Sequence, residues 1–599
     1  MINSLRDYIS ASMQDCMGLE GSRLSQARRD LKRRFLGMPY EADDERRERG
    51  LSTYVDRTVL ETVEWAKPGL FRLFSENEIL RFEPRSPEQE QAALDAAKYI
   101  NHLIFYKNIF SIVYNVLSDG LYQRIGWCLV HAPVSRQRRV RRFAGLSREE
   151  ARALLCGPDL SRPDVEVRVS RRAGKEDGLF DIYVRNTLES QEIRIDPVPS
   201  EQVIISADAR DVESARFVAH WQVRTASDLR REGWSEELIA SLPRFDSGRA
   251  MPETRTGRAV NHEGGSSGAG GVGLSGVRGG RAPSDSEFKV YEAWFDFDID
   301  GDGIAEKVKA VYAGDGPDCV LMGWEEWPMY RPPLFAACSV PLPHQAVGLC
   351  LADLVSDVQD LRTEVTRQFL DNLALANQGE LVVNEGSLEG SVEFDSLLAR
   401  GVGAVHRIKG DASITPLPAA ASTAEALNGI QMCEGLAERR TGISSRVQRL
   451  DAASLPHTAT AASIIEEAAS QRLELVARVF CETFFKPLGR YLLHLVHFVR
   501  DMDVEMKLFG RPMALDIRGW DPDMNIAAAA AINGASRSRS VEMYEKILGL
   551  QYKFVKEMGE KSPVRLSHLV HTCHKMAEAA GLEAPERFFG RVEAEGRAR

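Results

Sequence analysis

The string DIDGDGIAE at 298–306 sets Asp298, Asp300 and Asp302 at alternate positions ahead of Gly303. That is how a calcium loop offers oxygen ligands at its first, third and fifth places and turns sharply at the sixth. With Glu306 as a fourth carboxylate, these are the candidate metal ligands, and calcium is the ion they suit. The twelfth place holds Lys309 instead of a bidentate glutamate, and the flanks read as strands, so the spacing fits a β-hairpin turn better than a helix-flanked metal loop. A second set of acids, Asp353, Asp357, Asp360, Glu364 and Asp371, recurs at offsets of 4, 3, 4 and 7. On a helix these gather roughly 140° from the apolar side. A third set, Arg446, Arg449, Asp451 and His457, lies in a polar loop of small residues, where arginine can touch phosphate.

Other motifs carry less chemistry. A G-x-G-x-x-G at Gly271–Gly276 and a G-x-S-x-G at Gly264–Gly268 fall in a Gly-rich tract that neither follows a strand nor opens a helix, so they read as accidents of composition. No G-x-x-x-x-G-K-[ST] is present, which leaves no P-loop for ATP. His568, His571 and His574 share helical spacing near Cys573, yet Cys573 points off their common face. The run RQRRVRR at 136–142 reads as a solvated loop, with contact to packaged DNA or scaffold as the alternative. Nine cysteines without a C-x-x-C pair suit a reducing compartment, and the charged first 34 residues hold no signal peptide, so the expected site of synthesis is the cytoplasm.

These groups need elements to hold them. A chain of 599 residues is long enough for several cores. Its 76 basic and 87 acidic residues, net −11, argue against sequence-independent coating of DNA. The most apolar long stretch, 484–499, is broken by Lys486, Pro487 and Arg490 and is no membrane span. Helices are expected at Ser52–Trp65 and Pro87–Phe105, punctuated by Pro68 and Pro87, and alternation predicts strands around 165–169, 180–184 and 193–195. A Gly/Ser/Arg-rich insertion at 246–287 is expected to be disordered, and strands resume from Phe288 to Leu321. Leu351–Asn377 has apolar residues at helical spacing and predicts a helix about 40 Å long. A small β region (381–386 and 403–410), a helix at Thr423–Arg440, a polar loop and a long helix at Thr458–Arg500 follow. Pro487 predicts a kink near 483–487 in that last helix. Two short strands at 503–518 and helices from Ser536 complete an α+β chain.

Several strings, in order, resemble the portal proteins of tailed bacteriophages, in particular the group similar to that of Salmonella phage P22. They are VLETVEWAKPGLFRLF at 59–74, RFEPRSPEQEQAALDAAKYINHLIF at 81–105, ARFVAHWQVRTASDLRREG at 215–233, DIDGDGIAE at 298–306, GLCLADLVSDVQDLRTEVTRQFLDNLALAN at 348–377 and RRTGISSRVQRLDAASLPHTATAASI at 439–464. The resemblance implies a portal fold assembled as a homo-oligomeric ring, usually a dodecamer. Its parts would be a mixed α/β wing (1–347 and 459–528), a first stem helix (348–377), a β-containing clip (378–422), a second stem helix (423–441), a tunnel loop (442–458) and a helical crown (529–599). It further implies a non-enzymatic role in the virion, assembled in the host cytoplasm without a membrane. The implied partners are double-stranded DNA in transit, the large terminase subunit that supplies the ATP chemistry, major capsid and scaffold proteins, and a head–tail adaptor.

If the helix carrying Asp353, Asp357, Asp360, Glu364 and Asp371 lines a channel, each acid repeats around the ring. The resulting negative wall would not hold a DNA duplex. A solvated outer face gives the same pattern. Taken without the resemblance, the residues also admit a calcium-dependent nuclease or hydrolase built on the Asp loop, or a helical scaffold or adaptor with no DNA path.

Overall fold

The computed structural model describes residues 2–19, 21–40, 42–75, 79–86, 89–155, 165–171, 180–191, 193–245, 286–315, 319–377, 381–383, 414–416, 423–442, 472–498, 505–508, 511–514, 519–528, 537–558, 564–579 and 586–589. Helices and strands are mixed, as expected of an α+β chain. Helix α1 (Arg23–Leu36) is capped by Ser22, whose side chain accepts from the Ser25 N–H, and ends on Gly37 at φ 64°. Helix α2 (Thr58–Ser75) buries Val63, Ala66, Leu70 and Phe74 along one face. The expected helix at Ser52–Trp65 is thus shifted, and Pro68 lies inside it. Its start waits for Thr58, whose N–H the Asp56 carboxylate accepts at 2.9 Å. Beyond Pro68, burial of Leu70 and Phe74 carries the helix through a residue that costs about 3 kcal/mol in a helix interior.

The apolar face of α2 meets residues 480–492. Phe74 and Phe105 both pack on Phe485, at 5.0 and 5.3 Å between ring centroids, in a core that also takes Phe480, Phe484, Leu488 and Leu492. Strand Asn525–Ala528 pairs antiparallel with Leu80–Glu83, so two segments far apart in sequence share one sheet as well as one core. Gly489 lies close under this sheet, where a Cβ would stand 2.6 Å from Leu80 Cδ1 and oblige that side chain to shift. The irregularity expected before Pro487 is present as a π-helical turn over Cys481–Phe485, where the proline has no N–H to give.

A six-stranded antiparallel sheet runs Cys16–Met17, Val203–Ser206, Phe217–Thr225, Glu287–Phe297, Glu306–Ala313 and Val320–Glu326. Helix Ile2–Gln14 covers one face with Leu5, Ile9 and Met13. A separate three-stranded sheet is formed by β1 (Val134–Leu146), β2 (Val165–Arg171) and β3 (Phe180–Gln191), with β3 in the middle. The run 136–142, expected as a loop, is therefore the centre of an edge strand; Gly, Pro and Asn are absent from it, and β3 pairs along its length. Strands Val165–Arg171, Phe180–Gln191 and Arg194–Val198 match the alternation in the sequence.

Helix α3 (Ser356–Asn377) begins five residues later than its apolar spacing predicted and is about 33 Å long. Residues before it are held in turns, with Cys350, Ala352 and Val355 buried against Leu31 and Val59. Of the expected small β module, Leu381–Val383 pairs with Ile414–Pro416, while 403–410 lies outside the described residues, as do 246–285 of the insertion. Helix α4 (Thr423–Thr441) follows, then α5 (Lys486–Phe498), a hairpin of Glu505–Leu508 with Arg511–Ala514, and helices α6 (Arg537–Met558) and α7 (Leu566–Ala579).

His220 is buried in the six-stranded sheet opposite Glu292, with Arg224 and His131 nearby. Burial first, then these cations, lowers its pKa from 6.5 to about 4. Between those values the unfolded chain binds a proton that the fold refuses, so stability falls as pH drops from 6.5 toward 4. The drop in denaturant midpoint between about pH 7 and about pH 5 should be smaller for His220→Gln than for the natural chain.

Candidate functional site

Helix α3 displays charges of both signs, and the fold answers them with segment 34–62. Arg367 is the most enclosed: its guanidinium meets Asp43 at 2.7 Å, with the side chains 5% and 1% exposed, and its Nε donates to the Tyr54 carbonyl at 2.6 Å. One turn on, Arg46 reaches Asp371 at 2.6 Å, and the other oxygen of that carboxylate accepts the Ser52 N–H at 2.6 Å. Arg34 forks onto Asp360 through Nε and Nη2 at 3.1 and 2.9 Å, while the Tyr40 hydroxyl donates to the same carboxylate at 2.8 Å. Arg362 lies within 3.5 Å of Asp56 and 3.3 Å of Glu434. Gln359, fully buried, donates to the Arg34 carbonyl and accepts the Val59 N–H. Thr363 accepts the Asp56 N–H at 3.1 Å.

Titration follows this geometry. The hydrogen bonds that Arg34 donates to Asp360 raise its guanidinium further, and burial together with its own hydrogen bond to Asp360 pushes the Tyr40 hydroxyl up to about 12. The hydrogen bond from Arg440 holds Asp357 below the usual carboxylate range.

Helix α4 runs antiparallel beside α3. Gly429 sits against Val365, Glu434 meets Arg362, and Arg440 near its end pairs with Asp357 at the start of α3 at 2.5 Å. Asp353 precedes the helix and is forked by Arg124, the shortest contact 2.8 Å, while accepting the Cys350 N–H at 3.0 Å. Of the five acids that the spacing set on one helical face, Asp353, Asp357, Asp360 and Asp371 therefore carry intrachain arginine partners. Glu364 has no ion pair among the described residues; it accepts from Gln368 at 3.2 Å on an exposed stripe with Asp357 and Leu361.

At the hairpin between Glu287–Phe297 and Glu306–Ala313, the carboxylates of Asp298, Asp300 and Asp302 converge within 4.8 Å. They are the only acid, histidine or cysteine trio among the described residues close enough to share an ion, so His568, His571 and His574 are not brought together. The carboxylate oxygens are engaged by the turn itself. Asp298 accepts from Gly301 and Gly303 at 2.6 and 2.9 Å, Asp302 from Ile304 at 2.7 Å, and Glu306 from Ile299 at 3.0 Å. Gly301 and Gly303 take φ 82° and 90°, which favour glycine. Lys309, where a calcium loop needs its bidentate glutamate, pairs instead with Glu325.

A family model described as phage SU10 portal protein matches residues 5–598, which is nearly the whole chain. The chain belongs to the SU10 portal protein family. This bears out the resemblance to tailed-phage portals and makes the protein a phage capsid component. Among curated proteins nothing matches it. In this portal-family chain no helix of the described residues is long and apolar enough to cross a membrane. Arg446, Arg449, Asp451 and His457 lie outside the described residues.

Sequence reading missed Arg34, Asp43, Arg46, Asp56, Arg124, Arg362, Arg367 and Arg440. The signal available was two arginines, Arg362 and Arg367, among the acids of α3, and the acidic and basic cluster at 43–49 with no apolar face of its own. Replacing Arg367 with Met strands the buried Asp43 charge and should cost about 3–5 kcal/mol in denaturant unfolding, most of which Asp43→Leu in the same chain should restore. Calcium titration calorimetry should give no saturable heat, and Asp298→Ala should destabilise the hairpin by about 1–3 kcal/mol through its orphaned glycine N–H groups. A saturable one-to-one heat would establish metal binding at the Asp loop.

Proposed function

We propose that copies of this chain close head-to-tail into a ring, with a dodecamer as the expected state, that forms the DNA channel at one capsid vertex. The ring is assembled in the host cytoplasm. It passes the genome inward during packaging and outward at ejection, docking first the terminase large subunit and then head–tail connector proteins. The observation that carries the reading is the match to a portal family along residues 5–598. The antiparallel pair α3 and α4, joined through the small β pairing of Leu381–Val383 with Ile414–Pro416, supports it as a stem with a clip at its tip.

In this reading 1–347 and 459–528 are wing, 442–458 the tunnel loop and 529–599 the crown. The bore charge differs from a row of free acids. With four of the five neutralised by arginine, the wall that α3 offers is close to balanced, and Glu364 supplies its unpaired charge among the described residues. Balanced polarity also suits a conduit, because a duplex is neither bound nor strongly repelled. Arg446, Arg449, Asp451 and His457 remain the proposed loop contacts with DNA in transit. The protein performs no chemistry of its own. A hydrolase reading would need more than the Asp loop, and a scaffold reading would need no hole.

Negative-stain microscopy of the purified chain should show rings with a central opening wide enough for duplex DNA; a stable monomer alongside procapsid components overturns the proposal. In a packaging assay, Glu364→Lys should slow translocation without loss of fold, and deletion of 446–455 should impair packaging or genome retention. Charge reversal at Asp360 or Asp371 should instead destabilise the chain before any channel effect is read.

A further inference from the structure

Helix α6 (Arg537–Met558) has more apolar surface than α7 covers. Its half-buried residues are Val541, Tyr544, Leu548, Gln551 and Val555, a band at helical spacing on the side packed against α7. Roughly 110° further round the helix stands a second band, Met543, Ile547, Leu550 and Phe554, whose members are 56, 37, 55 and 44% exposed. Its offsets of 4, 3 and 4 are those of a seam that fits a facing helix. A surface helix packed on one neighbour needs one apolar stripe. Large side chains left open along about 16 Å of a second stripe mark a contact.

The opposite flank of the same helix has the complementary shape. Glu545, Gly549, Tyr552 and Lys556, all exposed, repeat the offsets of 4, 3 and 4 roughly 160° from the stripe. A Cβ placed on Gly549 would meet nothing within 4 Å among the described residues, so no packing inside the subunit accounts for a glycine that weakens an exposed helix. What Gly549 leaves is a hollow beside Tyr552, itself 64% exposed, with Glu545 and Lys556 at the two ends. The last side of the helix, with Lys546, Lys553 and Glu557, is charged and exposed. Knobs and hollow thus stand on opposite flanks of α6, with α7 on a third side and charge on the fourth. A surface whose complement lies on the far side of the same chain is not satisfied in a two-fold dimer; head-to-tail repetition satisfies both in every copy once the ring closes.

We propose that the stripe Met543, Ile547, Leu550 and Phe554 of one copy packs into the Gly549–Tyr552 hollow on α6 of the next copy, so that successive α6 helices stand side by side around the ring. This rests on the ring reading above and adds to it a specific contact between subunits. The occupant is a second copy of this chain because α6 carries both halves of the contact at one spacing; a foreign helix would cover the stripe and leave the hollow open.

The test uses the full chain carrying Ile547→Cys and Gly549→Cys together, oxidised with copper phenanthroline after purification. The two positions point to opposite sides of one helix and do not join within a chain. Non-reducing gels should show a ladder running past the dimer, with no ladder from the natural chain or from either single variant. An equimolar mixture of the two single variants should give disulfide-linked pairs. Separately, Gly549→Gln fills the hollow with a better helix former; it should keep or raise the thermal midpoint while lowering the ring fraction at least about tenfold in mass photometry. Dimers formed as readily by Ile547→Cys alone overturn the proposal, since they place stripe against stripe. So does an unchanged ring fraction in Gly549→Gln. Microscopy of the same samples keeps the two readings apart: rings without disulfide-linked species mean that another segment or another protein covers the stripe and sink only this inference, whereas absence of rings from the natural chain sinks the portal reading and this contact with it.

Discussion

The buried pair of Arg367 and Asp43 is the constraint on which the arrangement of α3 depends. Two charges at 5% and 1% exposure are tolerable only together, because each alone would bear a desolvation cost of several kcal/mol. Their meeting fixes where segment 38–58 crosses the helix, and the rest of the contacts follow from that crossing. Arg46 then falls beside Asp371, Arg34 beside Asp360, and Asp56 under Thr363 and Arg362. A helix held this way along three of its turns is a stiff strut, unable to rotate without breaking several charge-assisted bonds at once.

A second constraint joins two segments far apart in sequence. Phe485 packs on both Phe74 and Phe105, and Asn525–Ala528 completes a sheet with Leu80–Glu83, so the region that leaves for α3 and α4 returns to the core it left. The helix pair is therefore an excursion from one body. In a ring, such an excursion can project without weakening the subunit, since the entropic cost of closing the long intervening loop grows only slowly with its length.

Charge is distributed to match. Arginine neutralises Asp357, Asp360 and Asp371 of α3 within the subunit. Intrachain pairing of this kind leaves the helix close to balanced without altering the net charge of −11.

The sequence by itself determined the elements whose signal is local. Helical spacing in α3 and α4, alternation in β2 and β3, the hairpin at Asp298–Glu306, and the disturbance before Pro487 were all legible because propensity and periodicity act over a few residues. The order of its motifs also carried the family. Only the tertiary structure decided which partners the acids of α3 take. Asp360 and Asp371 look like surface charge in sequence, yet their partners Arg34 and Arg46 lie more than three hundred residues away, and no local pattern encodes a contact at that separation. For the same reason α2 runs on through Pro68, where long-range burial of Leu70 and Phe74 outweighs a local breaker, and α3 starts at Ser356, where Arg124 captures Asp353 before the helix begins.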